Sequence, residues 1–233
     1  LPDLDEFTPK GVLATHRKFS SAGLAVPCVM SGVRFTSPEK EEREQQLKTA
    51  RLYVDIAEAL ESPYIRIFGG PIKPEMPYEE TYRQIVDGFR LVGEYAAGHG
   101  VTALLETHDS FSTGKNARAL LDEVDHPGIA VIWDFLHSCR FGETIEESWT
   151  YLGGLIKDVH IKDSSEYSDT GFNLKLPGEG KLPIPDALRL LLANGYDGWF
   201  TFEWEKGWHP EIEESEVAIP AFMSYMNSVI SEL

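Results

Sequence analysis

The sequence predicts a parallel α/β fold of the (β/α)-barrel type, and three observations support this class. Apolar strand-like runs alternate with amphipathic helical stretches along the whole 233-residue chain, which is the order of successive βα units. The strand-like runs are nearly continuously apolar, as expected for a parallel sheet covered by helices. No linker or shift in composition divides the chain, so we expect a single domain over residues 1–233.

The chain carries six strand-like runs, two fewer than a complete barrel of eight βα units. The two missing strands are expected at the N-terminal end, where a helix predicted over residues 4–20 precedes the first strand. We therefore expect a TIM-type (β/α) barrel that lacks its first two strands and is N-terminally incomplete. An open sheet would leave two edges to be covered by helices, loops or a partner subunit, which leaves a homodimer open. The predicted strands span residues 23–30, 64–68, 101–106, 129–134, 156–162 and 199–203.

The segments between these runs have the features of helices and loops. Residues 47–60 carry apolar side chains at helical spacing, which indicates one buried helix face. Thr144 and Glu147 have the spacing of a capping box that opens another helix. A long polar stretch after the fifth strand, ending at Gly180, predicts a loop.

Composition excludes several classes of protein. The 38 acidic and 21 basic residues give a net charge of −17, and a surface so negative repels polyanions, so we expect no nucleic-acid partner. No apolar run approaches the ~20 residues of a membrane span, so we expect no membrane partner. Cys28 and Cys139 are the only cysteines, which argues against a disulfide framework and favours the cytoplasm.

Four acidic or imidazole side chains close four successive apolar runs. They are Glu106, Asp134, His160 and Glu203, separated by 28, 26 and 43 positions. Each interval is about one strand-plus-helix unit or somewhat more, so all four are expected at the carboxyl ends of parallel strands, on one rim of the barrel. Such a cluster is costly to bury unless a cation lies in it.

The donor types indicate which cation would fit. Three carboxylates and one imidazole make a hard, mostly oxygen site, which favours Mn²⁺ or Mg²⁺, while Co²⁺ or Zn²⁺ would also be accepted. A closed structural zinc site would instead favour cysteine or more histidine. Any one of these carboxylates alone could equally be a solvated charge or a capping group, so the prediction depends on the ordered set.

Six further side chains are candidate substrate-binding groups, although each also has a purely structural interpretation. His108 and His137 follow Glu106 and Asp134 closely, and Lys162 shares a strand face with His160. An unpaired Arg66 would be costly in its apolar strand, so it binds an anion or, more simply, pairs with a site carboxylate. Trp208 and His209 lie just beyond the last strand, where an exposed indole suits stacking on a sugar.

The ordered motifs resemble the sugar phosphate isomerase/epimerase family, the xylose isomerase-like TIM barrels. Four segments carry the resemblance, which covers roughly residues 20–230: Leu104-Leu105-Glu106-Thr107-His108, Trp133-Asp134-Phe135-Leu136-His137, Val159-His160-Ile161-Lys162-Asp163, and Gly195-Tyr196-Asp197-Gly198-Trp199 running to Glu203. The Gly178-Glu179-Gly180 loop is similar to this family as well. The resemblance implies a divalent metal bound by the four strand-end residues, and it implies that the first strand here is the family's third.

The resemblance and the residues together predict a metal-dependent isomerase or epimerase. Its substrate would be a sugar or related polyhydroxy carbonyl compound, with Glu106 and Glu203 as the catalytic acid and base that remove and return a proton. The family's ketose 3-epimerases carry a further Glu shortly after the first Glu ligand, whereas residues 107–112 read Thr-His-Asp-Ser-Phe-Ser here. A dehydratase of the inosose or dehydroshikimate type is therefore an alternative.

Two other classes stay open on weaker grounds. An endonuclease-IV-like phosphodiesterase would require three metals, more histidine ligands and a basic groove, and the net charge of −17 argues against it. The second class is a non-catalytic barrel that binds a small molecule, since the absence of N-terminal strands would also remove substrate contacts.

Overall fold

The computed structural model describes residues 8–232 and contains one parallel sheet with helices between its strands. Within that range, six parallel strands are hydrogen-bonded in the order β1-β2-β3-β4-β5-β8. The strands are β1 (Cys28–Met30), β2 (Tyr64–Phe68), β3 (Thr102–Glu106), β4 (Ile129–Asp134), β5 (Ile156–Ile161) and β8 (Trp199–Phe202), with β6 (Asp163–Ser168) and β7 (Gly171–Lys175) forming a separate hairpin. The helices are α1 (Pro9–Ser21), α2 (Lys40–Ala59), α3 (Tyr78–Gly98), α4 (Gly114–Val124), α5 (Phe135–Arg140), α6 (Ile145–Leu152), α7 (Ile184–Ala193) and α8 (Ser215–Ser231).

The described chain divides into two compact units. The first takes in the described residues up to Phe111 together with Ala119–Val131, and the second takes in Ser112–Arg118 and the chain from Ile132 onward. The single domain expected over residues 1–233 stays a prediction. No helix among the described residues is long and apolar enough to cross a bilayer.

In the first unit, strand β2 lies between β1 and β3, and all three run parallel. Its side chains alternate, with Ile65 and Ile67 fully buried and Arg66 on the opposite face, as the two-residue period of a strand requires. Parallel register pairs Phe68 with Glu106, so the carboxyl end of β2 lies beside the carboxyl end of β3. Helices α2 and α3 pack on each other, and α2 also packs on β2.

In the second unit, the pairing of β5 with β8 sets the position of Glu203. His160 lies opposite Thr201 and Ile161 opposite Phe202. The ladder continues one residue further, where the Glu203 N–H donates to the Ile161 carbonyl at 3.0 Å. Glu203 is thereby held on a rigid strand end rather than on a free loop.

The six strands and the capping box of α6 are confirmed. The first strand is shorter than predicted, beginning at Cys28. The helix predicted over residues 4–20 corresponds to α1, Pro9–Ser21, and residues 4–7 lie outside the described range. The absence of two strands before β1 stays a prediction.

The loop predicted between β5 and Gly180 is wrong, because this segment contains the antiparallel hairpin of β6 and β7. Its residues are mostly polar, and the register shifts between Ser164 and Glu166, so the alternation that marks a strand in the sequence is obscured. The hairpin packs against α5.

The buried carboxylate of Asp163 holds the segment that follows this hairpin. It accepts four backbone N–H groups, two of them from the glycine loop recognised in the sequence, Gly178 at 2.8 Å and Gly180 at 3.0 Å. The other two donors are Ser164 and Leu182. A Cβ at Gly180 would collide with this carboxylate, and Gly178 has φ of 90°, so both glycines are required by the backbone.

We expect Asp163→Asn to lower the free energy of unfolding by about 3 kcal/mol, because an amide NH₂ would face two of the four buried N–H donors. Urea denaturation measures the change. Asp197→Asn, at an exposed loop position, is the control and should change stability by less than ~0.5 kcal/mol. Equal effects of the two substitutions would contradict the role assigned to Asp163.

Candidate metal centre

Three potential metal ligands lie together in the second unit. Asp134 ends β4, His160 lies near the end of β5, and Glu203 follows β8. Each offers one ligand atom, and these atoms lie within 4.8 Å of one another. Asp134 and His160 are fully buried and Glu203 is partly exposed, so the group is shielded by protein on one side and open to solvent through Glu203.

A buried ammonium group lies among these carboxylates. Lys162 is 1% exposed, and its Nζ is 2.8 Å from Asp134 Oδ2 and 2.6 Å from Glu203 Oε2. It is also 2.6 Å from Glu205 Oε1. Burial alone would lower the pKa of this ammonium, but the attraction of the three carboxylates outweighs burial and holds the pKa well above its ordinary value of 10.5. Lys162 is therefore a permanent cation that three carboxylates share.

Glu203 is held in its ionised form by the same contacts. Burial alone would raise the pKa of its carboxyl group, but Lys162, and after it His160, lower that pKa well below 4.5. The His160 Nδ1 atom lies 3.3 Å from Glu203 Oε2. Glu203 is thus a carboxylate at neutral pH, as a metal ligand or a general base requires.

Asp158 lies behind His160 and was not identified from the sequence. Its carboxylate is fully buried, accepts the Thr201 hydroxyl at 2.8 Å and approaches the second imidazole nitrogen, His160 Nε2, at 3.9 Å. The buried Asp158 carboxylate thus places negative charge beside the imidazole of His160. The signal was present in the sequence, because Asp158 precedes His160 by two residues and so shares its strand face.

His137 is buried beside Asp134 in a defined tautomer. Its Nδ1 lies 3.2 Å from Arg140 Nη1, and a guanidinium can only donate, so Nδ1 accepts and the proton of the neutral ring is on Nε2. That Nε2 lies 3.6 Å from Asp134 Oδ2. The short helix α5 makes this possible, because it places both His137 and Arg140 within two turns of Asp134.

In the first unit, Glu106 ends β3 and is 1% exposed. Arg66 pairs with it, Nη1 to Oε2 at 2.9 Å, and donates from Nε to the Ser31 carbonyl. The structure thus shows Arg66 paired with a carboxylate, while a role for Arg66 in substrate binding stays a prediction. His108 lies 3.2 Å from Asp109, Nδ1 to Oδ2, and its ring packs against that of Phe68 in a tilted arrangement, with the ring centres 5.0 Å apart.

The two candidates after β8 have different environments. His209 is partly buried, with Nε2 3.6 Å from Glu205 Oε2 and its ring 5.6 Å from that of Phe172. Trp208 is 85% exposed, the largest exposed fraction among the large apolar side chains of residues 8–232. The substrate-binding roles assigned to both stay predictions.

Glu205 and Arg140 were also missed in the sequence. Glu205 lies three residues beyond the end of β8 at Phe202, so the strand period gives no signal for it. Arg140 gives no signal either, because its contacts are with the turn of the unrecognised hairpin, the Ser168 carbonyl at 2.8 Å and the Asp169 carbonyl at 3.3 Å.

The donor set fits a divalent cation. Asp134, Glu203 and Glu205 bring three carboxylates to one ammonium, so negative charge exceeds positive charge around a buried position. Carboxylate oxygens with one imidazole are suitable ligands for Mn²⁺, Mg²⁺ or Zn²⁺. This group of Glu, Asp and His is a candidate metal-binding site.

Comparisons with known proteins agree with this fold. A family model described as xylose isomerase-like TIM barrel matches residues 2–223. The chain is 25% identical over 170 residues to fructoselysine 3-epimerase of Shigella flexneri, covering 71% of this chain and 60% of that protein. It is 35% identical over 104 residues to 3-dehydroshikimate dehydratase of Bacillus anthracis, covering 43% of this chain and 37% of that protein. The chain therefore spans well under two thirds of either relative.

Two solved structures share the fold. The IOLI protein with a bound zinc atom superposes with a TM-score of 0.82 at 17% identity, covering 100% of this chain and 84% of that one. The 3-keto-D-glucoside 4-epimerase of E. coli superposes with a TM-score of 0.78 at 18% identity, covering 96% of this chain and 85% of that one.

We expect Lys162→Met to lower the free energy of unfolding by about 3 kcal/mol or more at neutral pH, because it leaves buried carboxylates without their cation. Chemical denaturation measures this loss, and added Mn²⁺ should restore more stability to the variant than to the wild type. Lys157→Met is the matched control, since Lys157 is exposed on the same strand. A loss as large in the control would show that strand β5, and not the charge of Lys162, is responsible.

We expect the Cys139 thiol to resist alkylation in the native protein. Burial, and after it the carboxylates of Asp134 and Glu143, raises the pKa of this thiol from 9.0 to about 12, so little thiolate is present at pH 8. In a Cys28→Ser background, iodoacetamide should react with native protein at least about 100-fold more slowly than with denatured protein. A native rate that rises with an inflection near pH 9 would contradict this environment.

Proposed function

We propose that this chain, which belongs to the family of xylose isomerase-like TIM barrels, is a metal-dependent enzyme acting on a sugar-like polyhydroxy carbonyl compound. The observation that supports this most directly is the group of Asp134, His160 and Glu203 around a buried excess of negative charge. The relatives of this chain include epimerases, dehydratases and an isomerase.

We assign Glu106 as the fourth metal ligand. It ends β3 as Asp134 ends β4, and parallel strands of such a fold present their carboxyl ends to the catalytic rim. The metal we favour is Mn²⁺ or Mg²⁺, because three of the four donors are carboxylates. Zn²⁺ or Co²⁺ would be accepted by the same ligands.

The residues of this chain would supply the proton transfers. When bound, the metal supplies Lewis-acid polarisation of the substrate carbonyl and so acidifies the adjacent C–H group. Glu203, ionised at neutral pH, would take that proton on a carboxylate oxygen. Glu106 would start the cycle protonated and would give its proton to the opposite face or to the neighbouring carbon, after which proton exchange with water would restore both carboxyl groups. The two glutamates could exchange these roles. Lys162 keeps Glu203 oriented, and His137 presents its Nε2–H beside Asp134.

Dehydration is the second candidate reaction. Two observations favour it: the match to 3-dehydroshikimate dehydratase has the higher identity of the two relatives compared above, and Thr107–Ser112 lacks the additional Glu expected of a ketose 3-epimerase. In this reaction the same removal of a proton is followed by departure of a β-hydroxyl group. A homodimer and a cytoplasmic location remain expectations from the sequence.

The proposal predicts that metal-stripped protein binds one Mn²⁺ per chain and that Glu203→Gln weakens this binding by at least about 100-fold, since loss of even an outer contact to a ligand costs 10–100-fold. Equilibrium dialysis measures the binding, and Glu216→Gln, at an exposed position of α8, is the control. Turnover of ketoses, inososes and dehydroshikimate by the Mn²⁺-loaded protein then separates epimerase from dehydratase. Unchanged Mn²⁺ affinity in Glu203→Gln would overturn the proposed site.

A further inference from the structure

The hairpin that the sequence did not reveal brings an aromatic ring to the polar group of the second unit. Phe172 lies at the start of β7 and pairs with Tyr167 across the hairpin. Its ring lies edge-on to the His137 ring at 6.0 Å and 5.6 Å from the His209 ring. The Lys162 Nζ lies 5.9 Å from its centre.

These neighbours show that Phe172 does not belong to the hydrophobic core. It is only partly buried, and the groups around it are imidazoles and cations. A half-buried ring in such surroundings contributes less to folding than a core phenylalanine. Part of Phe172 is accessible to solvent, and its ring lies near Lys162, which contacts two of the proposed metal ligands.

The ring is also held in place before any ligand arrives. The Arg140 guanidinium lies 4.9 Å from the Phe172 ring centre, within the range of a cation–π contact. The same guanidinium donates to the carbonyls of Ser168 and Asp169 in the hairpin turn. Arg140 belongs to α5, the helix that begins directly after the proposed metal ligand Asp134. Its contacts therefore connect the hairpin to this helix.

We propose that Phe172 is a specificity-determining residue, whose ring receives the C–H face of a cyclic polyhydroxy compound and so favours ring substrates over open-chain ones. This inference rests on the proposed function, since it concerns the substrate class of the same site. A cyclic polyol presents a preformed patch of C–H groups that can lie flat on an aromatic ring. An open chain must first lose conformational freedom to present one, so the ring should discriminate between them.

The test compares myo-inositol with sorbitol, which carry the same number of hydroxyl groups on a ring and on an open chain. Binding of each to the Mn²⁺-loaded protein is measured by calorimetry or by ligand-observed NMR. We expect the wild type to prefer myo-inositol. Phe172→Leu should weaken myo-inositol binding by up to about tenfold, the value of an aromatic contact of this kind, and leave sorbitol within about twofold.

Two further variants make the result specific. Phe172→Tyr keeps the ring and should keep the preference for myo-inositol. Phe141→Leu is the matched control, because Phe141 also contacts the Arg140 guanidinium, at 6.0 Å, but is 50% exposed; it should change neither affinity. Mn²⁺ affinity, measured by equilibrium dialysis, should be the same in all these proteins.

The outcomes separate this inference from the function on which it rests. If the wild type binds Mn²⁺ but shows no preference for myo-inositol, the proposed role of Phe172 is wrong and the proposed metal site is unaffected. This result does not depend on whether the Phe172→Leu variant folds. An equal loss of affinity for myo-inositol and sorbitol in Phe172→Leu would also contradict the proposed role of Phe172. A wild type that binds no Mn²⁺ overturns both proposals.

Discussion

The arrangement of the second unit depends on one electrostatic constraint, which is the compensation of buried carboxylates by the Lys162 ammonium. Asp134 is buried completely, and Glu203 and Glu205 are more than three quarters buried. Carboxylates at such positions are tolerated only when cations lie against them. One ammonium cannot neutralise three of them, and the remaining negative charge is what makes this group suitable for a divalent cation.

Rigid elements keep these charges in position. Glu203 extends the β5–β8 ladder by one hydrogen bond, and His160 lies between Glu203 and the buried Asp158. Asp163 fastens the loop after the hairpin through its four accepted N–H groups, without taking part in the charge cluster. The loop after the hairpin is therefore held by Asp163. Lys162 is held by three other carboxylates, those of Asp134, Glu203 and Glu205.

Much of the fold and part of the site could be predicted from the sequence. Six parallel strands and the residues that end them follow from apolar runs and their spacing, because burial on both faces leaves a strong signal. The hairpin could not be predicted, since its polar strands lack that signal and its turn is held by Arg140 from α5. For the same reason Phe172 was not recognised, while Asp158, inside β5, could have been found from the strand period alone.

The most direct test of the central claim is anomalous X-ray diffraction from a crystal of this protein soaked in Mn²⁺. We expect a single Mn²⁺ peak within coordination distance of Asp134, His160 and Glu203, with Lys162 still in contact with an outer carboxylate oxygen. A peak bound elsewhere, or no peak beside these three residues at saturating Mn²⁺, would contradict it.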